Sequence, residues 1–287
     1  MATTAPNPQA RLVLGLNPAW QKTLAFDHFI HGAVNRATQA TTLASGKGIN
    51  ALRACTTAGS PATVAQFAGG QTGQLLTEAL DASGAAHITV KTHVPTRTCT
   101  TILSRAEETM TELIEPSGPI LELEVAELTR ALMPALDACQ VLAICGTFPT
   151  GVPNTFYAEA IARARSHAIV LVDACRDVRA ALAAGPHILK VNQEELLALA
   201  GADTVPQAIA ALREHYPQLV AIAVTAGPGQ AFLATSTATA RFDLPRLERV
   251  VSPLGAGDCA MGVLTHHLGP HPGLGGISPQ DGARLED

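Results

Sequence analysis

The chain has 287 residues, 47% of them hydrophobic, 15% charged and 3% aromatic, with a formal net charge of −5. The apolar share excludes a disordered chain, no apolar run reaches the ~18–20 residues of a membrane helix, and the acidic balance argues against nucleic acid or an anionic membrane as a partner. The six cysteines are scattered without a CxxC pair, which argues against a disulfide framework or a zinc site, and the polar segment Met1–Ala10 has no apolar stretch, so a cytoplasmic location is expected.

In chain order, Arg11–Leu16 reads as a strand, Gly48–Ala58 as a helix stopped by Gly59, Ala62–Ala68 as a strand and Thr72–Ala82 as a helix. Val141–Cys145 reads as a strand, Pro153 to about His167 as a helix, and Ala168–Asp173 and Ile188–Val191 as strands. A helix follows with Asn192 near its start, then a strand at Leu219–Val224 and a helical pattern from Asp258 to His267. The strand runs are continuous in Val, Ile and Leu, as in strands covered on both faces. Their alternation with helices predicts an α/β fold, a mainly parallel sheet flanked by helices. Two stretches, Gln21–Ala37 and His87–Leu113, alternate apolar and polar residues instead. They predict a small β-sheet beside the main one, placed as a lid. No Pro/Gly/Ser linker divides the chain, so 11–265 is expected to be a single domain with lid segments at about 21–37 and 87–113. Gly269–Gly276 breaks the last helix, which leaves 266–287 as an atypical tail.

Three motifs carry chemistry. Ser252-Pro253-Leu254-Gly255-Ala256-Gly257-Asp258 places a glycine turn before a helix. Such a turn exposes unpaired N–H groups at the positive end of the helix dipole, a ready anion site. An Asp there can take the proton of a hydroxyl that attacks phosphorus; the plainer alternative is that Asp258 only caps the helix. In Ser45-Gly46-Lys47-Gly48-Ile49-Asn50, glycines flank a lysine before a helix. Lys47 could meet a phosphate or sugar hydroxyl and Asn50 a pair of hydroxyls, or the segment is a plain turn with a solvated lysine. It is not a Walker A loop, because Gly48 follows Lys47 where Ser or Thr is required. In Lys190-Val191-Asn192-Gln193-Glu194-Glu195, Asn192 and Glu195 share one helix face. They are hard oxygen ligands suited to a hydrated Mg²⁺, or equally a capping box with Asn192 as N-cap and Glu195 at N3.

Taken with Leu16-Asn17-Pro18-Ala19, Val34-Asn35-Arg36, Gly69-Gly70-Gln71-Thr72-Gly73, Thr96-Arg97-Thr98, the segment Cys145–Pro153 and Thr225-Ala226-Gly227, these motifs follow one family order. The chain resembles the PfkB/ribokinase family of small-molecule kinases over about Leu12–Thr265, and within it the 1-phosphofructokinase and tagatose-6-phosphate kinase branch. The resemblance implies a ribokinase-like α/β fold with a β-lid and an ATP-dependent carbohydrate kinase. It implies Asp258 as the base and the amides of Gly255, Ala256 and Gly257 as the anion hole. ATP would meet Lys190, Asn192, Thr225 and Gly227, and Mg²⁺ would be placed by Asn192 and Glu195. The sugar would meet Gln21, Gly46, Lys47 and Asn50. Arg97, helped by Arg36, would pair with a phosphate already on the substrate. Fructose 1-phosphate, converted to fructose 1,6-bisphosphate, fits that reading best; an unphosphorylated sugar or a nucleoside is the alternative within the class, and a sugar-phosphate-binding pseudokinase the alternative outside it. A homodimer through the lid is also implied. The chain departs from the branch at Gln21, where the family carries Asp, and in its tail, which lacks the helices that cover the adenine in relatives; weakened ATP binding and stability are expected from the latter.

Overall fold

The computed structural model describes residues 11–173, 178–245, 247–248, 250 and 252–268; the expected tail lies almost wholly outside them. The strands are β1 (Arg11–Leu14), β2 (Ala19–Phe26), β3 (Gln39–Ser45), β4 (Ala62–Gly69), β5 (Ala86–Thr92), β6 (Thr98–Ser104), β7 (Thr109–Ile114), β8 (Val141–Cys145), β9 (Ile169–Asp173), β10 (Ile188–Asn192), β11 (Ala221–Ala226), β12 (Gln230–Thr235) and β13 (Thr239–Asp243). The helices are α1 (Lys47–Thr57), α2 (Gly70–Ala82), α3 (Glu122–Ala138), α4 (Phe156–Ala164), α5 (Arg179–Ala183), α6 (Gln193–Ala200), α7 (Val205–His215) and α8 (Ala256–His267).

The continuous apolar runs become neighbours in a nine-stranded sheet of order β13-β12-β11-β10-β9-β8-β1-β4-β5. Every pairing from β11 to β5 is parallel, and β12 and β13 close the other edge as an antiparallel hairpin. Successive residues of a strand point to opposite faces. Leu12 and Leu14 therefore join the core beneath α3–α7, while Val13 joins the core beneath α1, α2 and α8. Both faces are apolar, and that is why the strands carry no polar alternation.

A second, four-stranded sheet has the order β3-β2-β6-β7, with β2 and β6 parallel and the outer pairs antiparallel. The expected segment 87–113 divides between the two sheets. β5 pairs with β4 at the edge of the large sheet, and only β6 and β7 belong to the small one. An edge strand with one face exposed alternates just as a lid strand does, so the pattern cannot separate them. In the other segment 27–38 is a connection, and the hydroxyl-rich stretch after it, Gln39–Ser45, forms β3.

Glycines set the closest approaches. Gly15 and Gly48 stand so near that a Cβ on either would lie 2.5 Å from the other's Cα, which seats the start of α1 on the end of β1. On α8, a Cβ at Gly262 would lie 2.3 Å from the Ala51 carbonyl oxygen of α1. Gly262→Ala would gain about 1 kcal/mol of helix propensity, yet the collision with backbone reverses the sign. We expect a net loss of about 1–3 kcal/mol, read from the urea midpoint.

Candidate active site

The sequence motifs converge where parallel strands end, the usual ligand edge of an open α/β sheet. Gly255 adopts a left-handed conformation, φ 78°, and is the N-cap of α8. Asp258 is thus not the cap. It stands in the first turn, and its Oδ2 accepts a 2.8 Å hydrogen bond from Asn50 Nδ2 on α1. Ser45 Oγ in turn donates to Asn50 Oδ1 at 3.2 Å, which fixes the amide. Burial pushes the Asp258 carboxyl above its ordinary range; Asn50 pulls the other way, Asp173 adds to the rise, and Lys47 and Lys190 oppose it.

The turn itself is only partly the anion hole that the resemblance implies. The Ala256 N–H donates to the Pro253 carbonyl at 3.2 Å. The N–H groups of Gly255 and Gly257 donate to no acceptor among the described residues, and they remain available to an anion. A Cβ at Gly257 would lie 3.0 Å from Lys190 Nζ, so the lysine reaches the same loop.

Lys190 lies in the middle of β10 and is buried. Its ammonium bonds Asp173 Oδ2 at 2.8 Å, and Lys47 Nζ meets Asp173 Oδ1 at 3.2 Å and Glu195 Oε1 at 3.7 Å. Burial disfavours the charge on Lys47, but the Asp173 and Glu195 carboxylates outweigh it and its pKa is raised. Lys47 is therefore a paired cation rather than the solvated lysine of the plainer reading. Asp173, the acid at the centre, was not singled out from the sequence. Its signal was present: an acid ending a fully apolar strand, Ile169–Asp173, at the ligand edge.

Asn192 and Glu195 form the capping box: Asn192 Oδ1 accepts from the Glu195 N–H at 2.8 Å, and Glu195 Oε2 accepts from the Asn192 N–H at 3.0 Å. Among the described residues no group of three or more His, Cys, Asp or Glu could hold a metal by itself. One oriented carboxylate still suits Mg²⁺ carried in on phosphate oxygens, since that ion takes one or two carboxylates and keeps its waters. Thr225 pairs with Asn192 across β10 and β11, and Gly227, φ 71°, turns β11 into β12 beside it.

Arg97 lines a cavity of ≈130 Å³ together with Lys47, Gly48 and Thr147, and also a second of ≈400 Å³ that reaches Glu115 and Ser117. The guanidinium is held by the carbonyls of Asn17 (3.1 Å) and Pro18 (3.4 Å), and no carboxylate pairs with it among the described residues. Gly46, φ 114°, turns the chain just before Lys47, and a Cβ there would lie 2.9 Å from the Pro18 Cα. One expected site residue stands apart. Arg36 is exposed in the 27–38 connection and makes no hydrogen bond among the described residues. Gln21 is buried, donates to Thr101 Oγ1 at 2.8 Å, and lines a cavity of ≈580 Å³ together with Asn50 and Gly255.

Residues 17–270 match the model of the pfkB family carbohydrate kinases. The chain belongs to that family. A solved structure of phosphofructokinase-2 from Escherichia coli in complex with fructose-6-phosphate is 25% identical, with a TM-score of 0.79 over 88% of this chain and 85% of that one. The tetrameric inhibited form of the same enzyme has a TM-score of 0.80, again at 25% identity, over 90% of this chain and 86% of that one. A possible 1-phosphofructokinase from Thermotoga maritima is 20% identical, with a TM-score of 0.82 over 96% and 89% of the two chains. The pfkB family member described here is an ATP-dependent carbohydrate kinase acting on small-molecule sugars. Among its described residues no helix is long and apolar enough to cross a membrane.

Removing the charge of Asp173 alone leaves Lys190 buried without its anion. We expect Asp173→Asn to cost about 3–5 kcal/mol, measured by denaturant unfolding.

Proposed function

We propose that this kinase transfers the γ-phosphoryl group of ATP to a hydroxyl of a sugar phosphate, with fructose 1-phosphate the best candidate and fructose 1,6-bisphosphate the product. The observation that carries this reading is the Asp258 carboxylate, oriented by Asn50 at a glycine-opened helix N-terminus and raised in pKa by burial. A base so tuned can hold the proton that the attacking hydroxyl gives up. The free N–H groups of Gly255 and Gly257, with Lys190 behind them, would meet the charge of the transferring group. Thr225 and Gly227, beside Lys190 and Asn192, would line the nucleotide. Mg²⁺, when bound on the ATP phosphates, would neutralise their charge; Asn192 and Glu195 would orient its waters.

Arg97 would clamp the phosphate that the sugar already carries. Its unpaired guanidinium at the wall of two adjoining cavities supports this, since Arg matches phosphate in a bidentate manner. Lys47, Asn50 and the Gly46 turn would meet the sugar hydroxyls. Ile114 and Leu113 of β7 are more than half exposed (59% and 54%), which supports a homodimer through the small sheet acting as a lid. The free thiols at Cys55, Cys99, Cys139, Cys145 and Cys259 fit a cytoplasmic enzyme.

ADP release with Mg·ATP over fructose 1-phosphate, fructose 6-phosphate, tagatose 6-phosphate, fructose, ribose and adenosine tests the reading. Turnover is expected with a phosphosugar alone, and Arg97→Met should raise its KM far more than it changes kcat. Turnover only with an unphosphorylated compound would remove the clamp. Asp258→Asn should lower kcat by about 10²–10⁴-fold with ATP binding kept. The base works deprotonated, and its folded pKa is raised. The acid limb of kcat/KM should therefore fall at a pH above the ~4 of an ordinary Asp; a limb at or below that value would contradict the assignment.

A further inference from the structure

β1 and β8 lie side by side in the large sheet, and their register ends with Leu14 opposite Ile144. Past that point both chains line the Lys47–Arg97 cavity: Asn17 follows β1, and Gly146 and Thr147 follow β8. One side chain bridges the two segments where the ladder has stopped. The hydroxyl of Tyr157, in the first turn of α4, donates to the Gly146 carbonyl at 3.3 Å, and the Leu16 N–H donates to the same hydroxyl. Tyr157 is 3% exposed, and its ring meets Phe148 and Phe156 edge-on, with centroids 5.2 and 6.4 Å away. Burial raises its pKa well beyond the physiological range, so the group keeps its proton and stays both donor and acceptor. The proposed reaction does not use it.

Any buried phenol takes a partner; here both partners lead to the substrate cavity. Gly146 is held from its other end too, because its N–H donates to the Asp173 carbonyl at 2.7 Å. At φ 78° it turns the chain beside Lys47, whose Cδ would lie 3.3 Å from a Cβ there. Leu16 is fully buried. The next residue, Asn17, gives the carbonyl that holds the Arg97 guanidinium at 3.1 Å. Asn17 has a second tie, Ser117 Oγ donating to its Oδ1 at 2.7 Å. A continuous chain of contacts thus runs from the Tyr157 hydroxyl through Leu16 and Asn17 to Arg97.

We propose that Tyr157 is a positioning residue for the acceptor substrate: its hydroxyl fixes the ends of β1 and β8 against each other, and so the orientation of Arg97. The proposal rests on the reading in which Arg97 clamps the phosphate of the substrate. A guanidinium ordered in advance spares the substrate the cost of ordering it. Phe at 157 would keep the ring packing but strand a buried carbonyl and a buried N–H, which only a backbone shift can relieve.

Two readouts of Tyr157→Phe separate this role from stability alone. One is the rate at which phenylglyoxal modifies Arg97 in the intact chain without ligand, followed by peptide mass. That rate should rise severalfold, while the exposed Arg36 reacts as in the wild type. The other is steady-state kinetics with Mg·ATP and the phosphosugar that the wild type turns over. The sugar KM should rise about tenfold with the ATP KM unchanged. In an Arg97→Met background the same substitution should leave the sugar KM where it was. A lower urea midpoint with both readouts unmoved would overturn the proposal, as would a full KM effect in the Arg97→Met background. Wild-type turnover on no phosphosugar would defeat the clamp reading instead; the labelling rate then still decides whether Tyr157 orients Arg97. Should Tyr157→Phe fail to fold, Ser117→Ala loosens Asn17 from its other tie, and an unchanged Arg97 labelling rate there would overturn the route through Asn17.

Discussion

The position of α8 relative to α1 governs the rest of the site. A glycine at 262 lets the two helices touch through backbone, and no larger residue fits against the Ala51 carbonyl. That contact brings Asn50 of α1 within hydrogen-bond reach of Asp258 in the first turn of α8. The far end of α8 is gripped as well. Arg11, buried at the start of β1, donates to the carbonyls of Thr265 (2.9 Å), His266 (2.9 Å) and Leu268 (3.4 Å). A cation at the last turn satisfies carbonyls that the helix cannot and complements its dipole. The helix is therefore fixed at its first turn, its middle and its end, and the carboxylate has little freedom of its own. Preorganisation of this kind spares the reaction from ordering its base.

Electrostatics divides the site into two regimes. Asp258 is half-buried, and that burial favours its neutral form. Around Asp173 the charges are paired: two ammonium groups meet its buried carboxylate, Lys47 also reaches Glu195, and Lys190 lies close to Gly257. A buried ion pair is weak support for stability, because desolvation of both charges offsets their attraction. Its presence at a ligand edge is better explained by what it offers an anion. The lysines are held ready by Asp173 and can turn part of their field toward phosphate oxygens, where a low dielectric strengthens it. Cys145 lies in the same region, but burial raises its thiol far above the physiological range, so it packs as a small neutral group.

Much of this was legible in the sequence, for reasons that differ by element. The central strands were readable because burial on both faces demands uninterrupted Val, Ile and Leu. The start of α8 was readable because the left-handed turn at its N-cap, φ 78°, favours glycine. β5 was not assignable, since one exposed face gives an edge strand of either sheet the same alternation. β12 and β13 were missed because their residues are half-buried or exposed and carry only a weak pattern. Asp173 was missed because a single acid after an apolar strand has no local partner in the sequence; Lys47 and Lys190 reach it only through the fold. Gln21 was grouped with Lys47, Asn50 and the other sugar-site positions, and the structure places it with Asn50 on the wall of one cleft.

The pair Asn192 and Glu195 shows why two readings of one motif need not compete. The capping box uses one oxygen of Glu195 and leaves the other 3.7 Å from Lys47 Nζ. A carboxylate tethered to its own helix start cannot swing away, so its second oxygen is held at the strand ends whether or not a cation is near. The cap supplies order locally, with hydrogen bonds that the helix needs in any case. Any role toward phosphate-bound Mg²⁺ would draw on that order without a further entropic cost. The same logic applies to Arg97, which two backbone carbonyls orient before any anion arrives. In both cases local hydrogen bonding holds a charged group in one orientation. Such a side chain can stabilise its own element and still serve a ligand.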